Sequence, residues 1–394
     1  MGKQRKIVLV TAGGHISSFH AAMKEMHETL EDVILDDNVL SYSKGKRASE
    51  VFGLYGARGG VSGLNKGDIV PINYNHLEED RAGSMIGSDR EHLDIDRVID
   101  VVKGEDIFSV IMMGGDNHLG EALKGYQVGL PFIGWPKTMD GDSSTFIPLG
   151  WETAVTTLTR FVRHHYNSAI TNRRVFYTGY FGRDTDWITC GVSAYSNTIA
   201  IPGEQSYGWD YILGKIAQDV EENKRRFGVP FSVVPFSENT HIDEIKEPPK
   251  EHQERDKHGE IKLQPKWIAL ELDRLTKQSG YKTASQVYEY TLRDFPPTET
   301  DKRLSKMAAR ESILMTVRGE FGKCPIFTPD GDFYEVIGVS LNEACKKRRV
   351  MDYDFFDYEE LRTSSKFLEV YDNLFRDSLG NPPKREELVY KNMI

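Results

Sequence analysis

The chain is short of several things, and each shortage removes a class of function. Its 394 residues contain three cysteines, Cys190, Cys324 and Cys345, far apart and without a CxxC pair. That spacing supports neither a disulfide framework nor a zinc site, and points to a reducing compartment such as the cytoplasm. No apolar run approaches the ~18 residues of a membrane span. The polar start, Met1 to Lys6, runs straight into a strand pattern, so neither a membrane segment nor a signal peptide is expected. Basic residues are outnumbered, 50 against 60 acidic, for a net charge of −10. Nucleic-acid binders usually carry the opposite excess, so no nucleic-acid partner is expected.

What is present is a globular composition, 39% hydrophobic and 28% charged, on a chain long enough for two domains. The most informative stretch is Ile107 to Thr153. An apolar run, Ile107 to Met113, stops at Gly114-Gly115-Asp116-Asn117. A short helical pattern follows, then a second apolar run, Phe132 to Trp135, which stops at Pro136-Lys137-Thr138-Met139-Asp140-Gly141-Asp142. Two strands that each deliver glycine and aspartate at their C-terminal ends place those residues where open α/β sheets bind ligands. Carboxylates, a lysine and glycine turns together describe a magnesium and phosphate site.

The rest of the chain repeats this plan. Lys6 to Thr11 reads as a buried strand and enters Gly13-Gly14. Ser18 then stands as an N-cap before a helix bearing Phe19, Met23, Met26 and Leu30. Such a strand, Gly-Gly turn and helix can face a phosphate, although most Gly-Gly turns only reverse the chain. The loop Ala82 to Arg90 is small-residue-rich and ends in arginine; by itself it reads as an exposed surface loop. Helices are predicted over Asp94–Val102 and Glu152–Tyr166, where His164 and His165 point ~100° apart and cannot share a metal. A second series of strands, Val175–Phe181, Thr198–Ile201 and Pro230–Phe236, ends in charged turns carrying Arg183, Glu204 and Glu238. Arginine for phosphate and carboxylate for hydroxyls suit a polyol phosphate. Asn239 to Lys266 is a charged, proline-bearing excursion. Beyond it come a helix at Trp267–Leu275, a strand at Ala284–Tyr290, a helix at Asp301–Gly319, a hairpin around Asp330-Gly331 and a Ser340/Glu343 capping pattern. The Phe and Tyr residues of the acidic tail from Met351 are expected to pack on the body.

GGDN followed about twenty residues later by PKTMDGD, with AGSMIGSDR, GWETAV, FGR at 181–183, SE at 237–238 and YTLR at 290–293, in this order, resembles the phosphofructokinase superfamily. The likeness is greater to its pyrophosphate-dependent branch. It covers most of the chain, from KIVLVTAGG to SLNEACKK. The resemblance implies an α/β fold of two doubly wound, Rossmann-like, three-layer domains with the active site in the cleft between them. The donor domain would hold residues 1–150 with roughly 291–345, and the sugar-phosphate domain 151–290 with roughly 346–394. It implies pyrophosphate-dependent phosphorylation of fructose 6-phosphate at the 1-hydroxyl, with Mg2+ as cofactor, in a homodimer or homotetramer. Asp140 would be the base, Asp116 the metal ligand with Asp142 beside it, and Lys137, Thr138 and Arg90 the contacts to the moving phosphoryl group. Gly14, Gly115 and Asn117 would line the donor side. Phe181, Gly182, Arg183 and Glu238 would face the sugar, and Arg174, Arg293 and Tyr290 its 6-phosphate.

Several positions depart from the family pattern. Asn117 stands where ATP users have glycine and pyrophosphate users aspartate. Lys137 replaces the glycine usual in ATP users and supplies charge suited to pyrophosphate. The first loop reads GGHISSFH in place of Pro-Gly and Asn, the Pro202-Gly203-Glu204 turn inserts a glycine into Pro-Glu, and Ala284 replaces an arginine that reaches the sugar phosphate across a subunit interface. The alternatives are an ATP-dependent phosphofructokinase or kinase of another sugar phosphate, and a non-catalytic regulatory paralogue. A dinucleotide oxidoreductase ranks last, since the opening lacks GxGxxG.

Overall fold

The computed structural model describes all residues except 1–3, 37–42, 144–145, 183–184, 247, 249–252, 254–263, 332, 346–348 and 391–394. The chain divides into two compact units, Met1–Thr153 with Arg293–Arg349, and Ala154–Leu292 with Val350–Ile394.

The first unit is built on β1 (Arg5–Thr11), β2 (Phe52–Ala57), β3 (Ile69–Pro71), β4 (Ile107–Gly114) and β5 (Phe132–Pro136), in the order β3-β2-β1-β4-β5. Strands β2, β1, β4 and β5 are parallel, and β3 pairs antiparallel at the edge. Parallel strands are covered on both faces, which is why β1 reads as an unbroken apolar run; Ile7, Val8, Leu9 and Val10 are all fully buried. From β1 the chain moves first to β2 and later to β4 on the other side. The loops after β1 and β4 therefore diverge, and this is the place in an open sheet where a ligand crevice opens. Leu119 and Ala122 of the helix Asp116–Gln127 and Cys324 and Leu341 further along pack into one core with Val8, Val10, Val110 and Met112.

The second unit carries β6 (Val175–Tyr180), β7 (Ser206–Tyr207), β8 (Ser232–Ser237), β9 (His241–Ile242) and β10 (Thr283–Tyr288). Its main sheet is parallel, ordered β10-β6-β8, with β7 and β9 forming a separate short pair. Ile212, Ile216 and Val220 of the helix Trp209–Phe227 and Ile268 and Leu272 of the helix Pro265–Gln278 cover it. His165 is buried on this sheet, bonded to the Thr178 hydroxyl at 2.8 Å and the Tyr288 hydroxyl at 3.0 Å. The tail packs its rings inward, with Phe355 and Tyr371 against Trp187 at 5.9 and 5.7 Å. The hairpin β11 (Lys323–Asp330) and β12 (Phe333–Ser340) belongs to the first unit.

The mixed α/β architecture with parallel sheets follows the sequence reading, with local differences. Ser18 precedes the helix Phe19–Asp32 but makes no capping bond; its hydroxyl instead accepts from Ser305 at 2.7 Å. Thr198–Ile201 is not a strand. Only Ile201 bridges to Phe236, because Asn197 takes a left-handed turn (φ 51°) just before and Pro202 has no N–H to extend the ladder. A helix at Trp187–Ser196, absent from the sequence reading, precedes this segment. Most of the 239–266 excursion lies outside the described residues. Among the described residues no helix is long and apolar enough to cross a membrane.

Candidate active site

In the first unit, the residues that leave β1 and β5 extend the ladder to the end of β4. Ala12 N donates to Met113 O at 2.9 Å and Lys137 N to Gly114 O at 3.1 Å. The loop 83–90 joins them, since Gly13 N donates to Asp89 O at 2.6 Å and the Ser88 hydroxyl to Gly13 O at 2.8 Å. Asp89 in turn accepts from Val61 N and Ser62 N, both at 3.0 Å, at the start of the helix Val61–Lys66. The segment that reads as an exposed loop is thus bonded to the Gly-Gly turn, with Arg90 exposed at its end.

Lys137 is buried, and its Nζ donates to Gly14 O at 2.6 Å. Gly13 is left-handed (φ +82°), and a Cβ there would stand 3.1 Å from that Nζ. A Cβ on Gly14 would lie 2.8 Å from Arg293 Cζ. These glycines are required because two cationic side chains press on the turn. Burial first, and then the Arg293 guanidinium, pull the Lys137 pKa down to about 7, against the opposing pull of Asp140. His118, one turn into the helix after β4, is held below its ordinary pKa by burial and then by Lys137. Thr138 organises the acidic loop. Its hydroxyl donates to Asp142 Oδ1 at 2.9 Å and accepts from Asp140 N at 3.1 Å. Asp116 opens the helix Asp116–Gln127 and Asn117 follows it, exposed.

In the second unit, Glu238 N donates to Tyr180 O at 2.9 Å and its Oε1 accepts from Gly182 N at 3.2 Å. The Phe181 and Tyr290 rings meet edge to face at 5.4 Å, with Tyr290 66% exposed. Phe181, Gly182, Glu238 and Tyr290 are therefore neighbours at the C-terminal ends of β6, β8 and β10.

A family model described as phosphofructokinase matches residues 39–315. That span is more than half of the chain. The chain belongs to the phosphofructokinase family. Among similar proteins, the pyrophosphate–fructose 6-phosphate 1-phosphotransferase of Amycolatopsis mediterranei is 23% identical over 330 residues, covering 80% of this chain and 92% of that one. The ATP-dependent 6-phosphofructokinase 3 of Streptomyces coelicolor is 25% identical over 329 residues, covering 81% and 89%. The crystal structure of a pyrophosphate-dependent phosphofructokinase from Marinobacter aquaeolei superposes with a TM-score of 0.75 at 16% identity, over 96% of this chain and 92% of that one, a likeness of fold.

The residues grouped by sequence fall in different units or at different strand ends. Arg293, read as a grip on the sugar phosphate beside Tyr290, lies in the first unit, where its Nη1 donates to His15 O at 3.1 Å. The chain re-enters that unit at this residue, which a linear motif cannot reveal. Asp294 follows it in, with an oxygen 2.8 Å from His15 Nε2. Arg174 precedes β6, and Phe181-Gly182 follow it, so the strand sets them roughly 20 Å apart. Arg174 instead lines a basic pocket with Lys277 and Lys282. Arg183 lies outside the described residues. Sequence reasoning missed Asp89 and His118. Both sit inside quoted motifs or next to them, so their proximity to GGDN and AGSMIGSDR was the available signal.

Among the described residues no three carboxylate, histidine or cysteine side chains gather into a group that could hold a metal ion. Magnesium does not need such a cage, since it is usually held by one or two carboxylates together with substrate phosphates and waters. The hard oxygens of Asp116 and of the 138–142 loop fit that mode.

Proposed function

We propose that this chain transfers the phosphoryl group of pyrophosphate to the 1-hydroxyl of fructose 6-phosphate, giving fructose 1,6-bisphosphate and phosphate in glycolysis or gluconeogenesis. The observation that carries the donor reading is the buried Lys137 amine at Gly14, with Arg293 beside it. A compact cation cluster at a Gly-Gly turn suits a small, highly charged anion. The first unit is the donor half and the second the acceptor half.

Asp140 takes the proton of the sugar hydroxyl as the new P–O bond forms. Thr138 holds the Asp140 backbone and the Asp142 carboxylate in one turn, so the base is oriented before substrate arrives. Lys137 and Arg90 neutralise the phosphoryl oxygens, and an arriving anion restores the charge that burial disfavours on Lys137. Asp116 would hold magnesium, which would supply positive charge against the phosphate oxygens. Glu238, backed by Gly182, accepts from sugar hydroxyls, and Phe181 and Tyr290 form an apolar wall. Arg174 precedes β6, at the opposite end from Phe181-Gly182, so a grip by it on the 6-phosphate would need a second copy of the chain.

ATP is the second reading of the donor. Asn117 carries no charge and relatives of both donor classes are similar to this chain to the same degree. Steady-state kinetics with each donor against a panel of sugar phosphates decide: turnover with ATP and none with pyrophosphate overturns the donor assignment, and inactivity with fructose 6-phosphate overturns the acceptor.

A further inference from the structure

The glycine inserted at Pro202-Gly203-Glu204 has a local partner in the structure. Asp186, fully buried just before the helix Trp187–Ser196, accepts from Gly203 N at 2.7 Å and from Glu204 N at 2.9 Å. Its own N–H donates to Glu204 Oε1 at 2.9 Å, and Met351 N donates to the same oxygen at 3.1 Å. The turn is pressed onto the end of β8. A Cβ on Gly203 would stand 2.8 Å from both Asn239 Cβ and the Ser237 hydroxyl, and Asn239 Nδ2 donates to Gly203 O at 3.2 Å. Glu238 lies between those two residues and reaches back to Tyr180 O and Gly182 N. The contacts form a closed ring, running from Gly182 to Glu238, through Ser237 and Asn239 to Gly203, and through Asp186 back to the chain that leaves β6.

We propose that Asp186 is a positioning residue of the acceptor half, whose carboxylate closes this ring and so fixes the Glu238 carboxylate against Gly182. The assignment rests on reading Glu238 as the sugar-facing group. Two backbone N–H donors converge on one carboxylate, and charge-assisted bonds of this kind are about twice as strong as neutral ones. Protonating Asp186 weakens the ring. The titratable groups that face it among the described residues are Glu204, Cys190, Tyr180, Tyr207 and Tyr358, none of them cationic. Burial, the largest influence, raises the Asp186 pKa to about 7 against the lowering pull of the Gly203 and Glu204 amides. The ring is then strongest above pH ~7 and loosens as pH falls through that value.

The test is Asp186→Asn, which keeps the shape and removes the charge. The KM for the sugar phosphate is expected to rise about 5–10-fold, which is about 1–1.4 kcal/mol at ~1.4 kcal/mol per tenfold, with kcat and the donor KM within about twofold. The dependence of acceptor KM on pH near 7 should disappear. Amide exchange at Gly182, which needs no activity, should speed up several-fold. An unchanged acceptor KM with unchanged Gly182 exchange overturns the proposal. Should Asp186→Asn not fold, Gly203→Ala strains the ring from its opposite side and must raise the acceptor KM selectively; equal effects on both substrates overturn the proposal. Glu238→Gln separates the two readings. If it leaves the acceptor KM unchanged, the acceptor assignment fails, whereas if it raises KM and Asp186→Asn does not, only the positioning role fails.

Discussion

Each unit buries an ionisable group beside its candidate site, and the two are of opposite sign. In the first, Lys137 is lowered to about 7 by burial and by Arg293; in the second, Asp186 is raised to about 7, chiefly by burial. They differ in what compensates them. Asp186 is served by backbone N–H groups of its own unit, so its site is complete without ligand. Lys137 has one carbonyl oxygen at 2.6 Å and stands among opposed charges, Arg293 and Arg90 against Asp140 and Asp142. Burial of charge alone therefore does not mark a site; whether fixed backbone groups of the fold already satisfy the charge is the second criterion.

The sharpest break between the two halves is in turnover. Asp140→Ala is expected to lower kcat by roughly 10²–10⁴-fold, the usual worth of a general base, with the sugar-phosphate KM little changed. Wild-type kinetics would remove Asp140 from the chemistry. Lys137→Met should cost about 10²–10³-fold in turnover, comparable to losing one donor to a developing anion. It should also alter stability in a defined direction. The folded Lys137 pKa lies below the unfolded value of 10.5, so between pH ~7 and ~10.5 the unfolded chain binds more protons and stability rises with pH. Thermal melts should lose that alkaline rise in Lys137→Met, and in the wild type once saturating pyrophosphate keeps the amine charged. A rise that survives the substitution refutes the assignment.

Donor choice sets a smaller effect. Asn117→Gly removes a side chain at the start of the helix Asp116–Gln127 and should raise kcat/KM for ATP about tenfold if crowding limits it, the scale of one misfit group in a pocket. An unchanged ratio between donors eliminates crowding as the cause. The smallest effect concerns the second unit alone. Burial and then His164 lower His165 to about 4, so this site loses stability as pH falls from ~6.5 to ~4, where the unfolded chain takes up the proton first. His165→Gln should flatten the acid side of the melting curve; an identical acid limb contradicts the depressed value.

The fold was legible because parallel strands are long apolar runs ended by glycine and charge, as in β1 and β4. The helix Trp187–Ser196 was not. It is buried nearly all round, and Ile188, Thr189, Gly191 and Val192 are weak helix formers, so neither periodicity nor propensity marks it. Site residues on contiguous motifs, such as Lys137 to Asp142, could be read together. Arg293 and Arg174 could not be placed, since a motif does not say to which unit, or to which end of a strand, the chain carries it. Asp186 gave no signal, because its partners are backbone amides.

The two-segment make-up of the first unit bears on how the protein is synthesised. Asp301 accepts from Gly150 N at 3.0 Å and from the Thr153 hydroxyl at 2.7 Å, and Ser305 bonds Ser18, so the helix Glu299–Val317 is part of that unit's interior. It is translated only after about 140 intervening residues, which takes roughly 7–28 s at usual elongation rates. For that interval the nascent N-terminal sheet has emerged with its apolar face uncovered. A ribosome-arrested chain ending at Thr153 should therefore recruit a holdase chaperone, and one extended past Arg349 should release it.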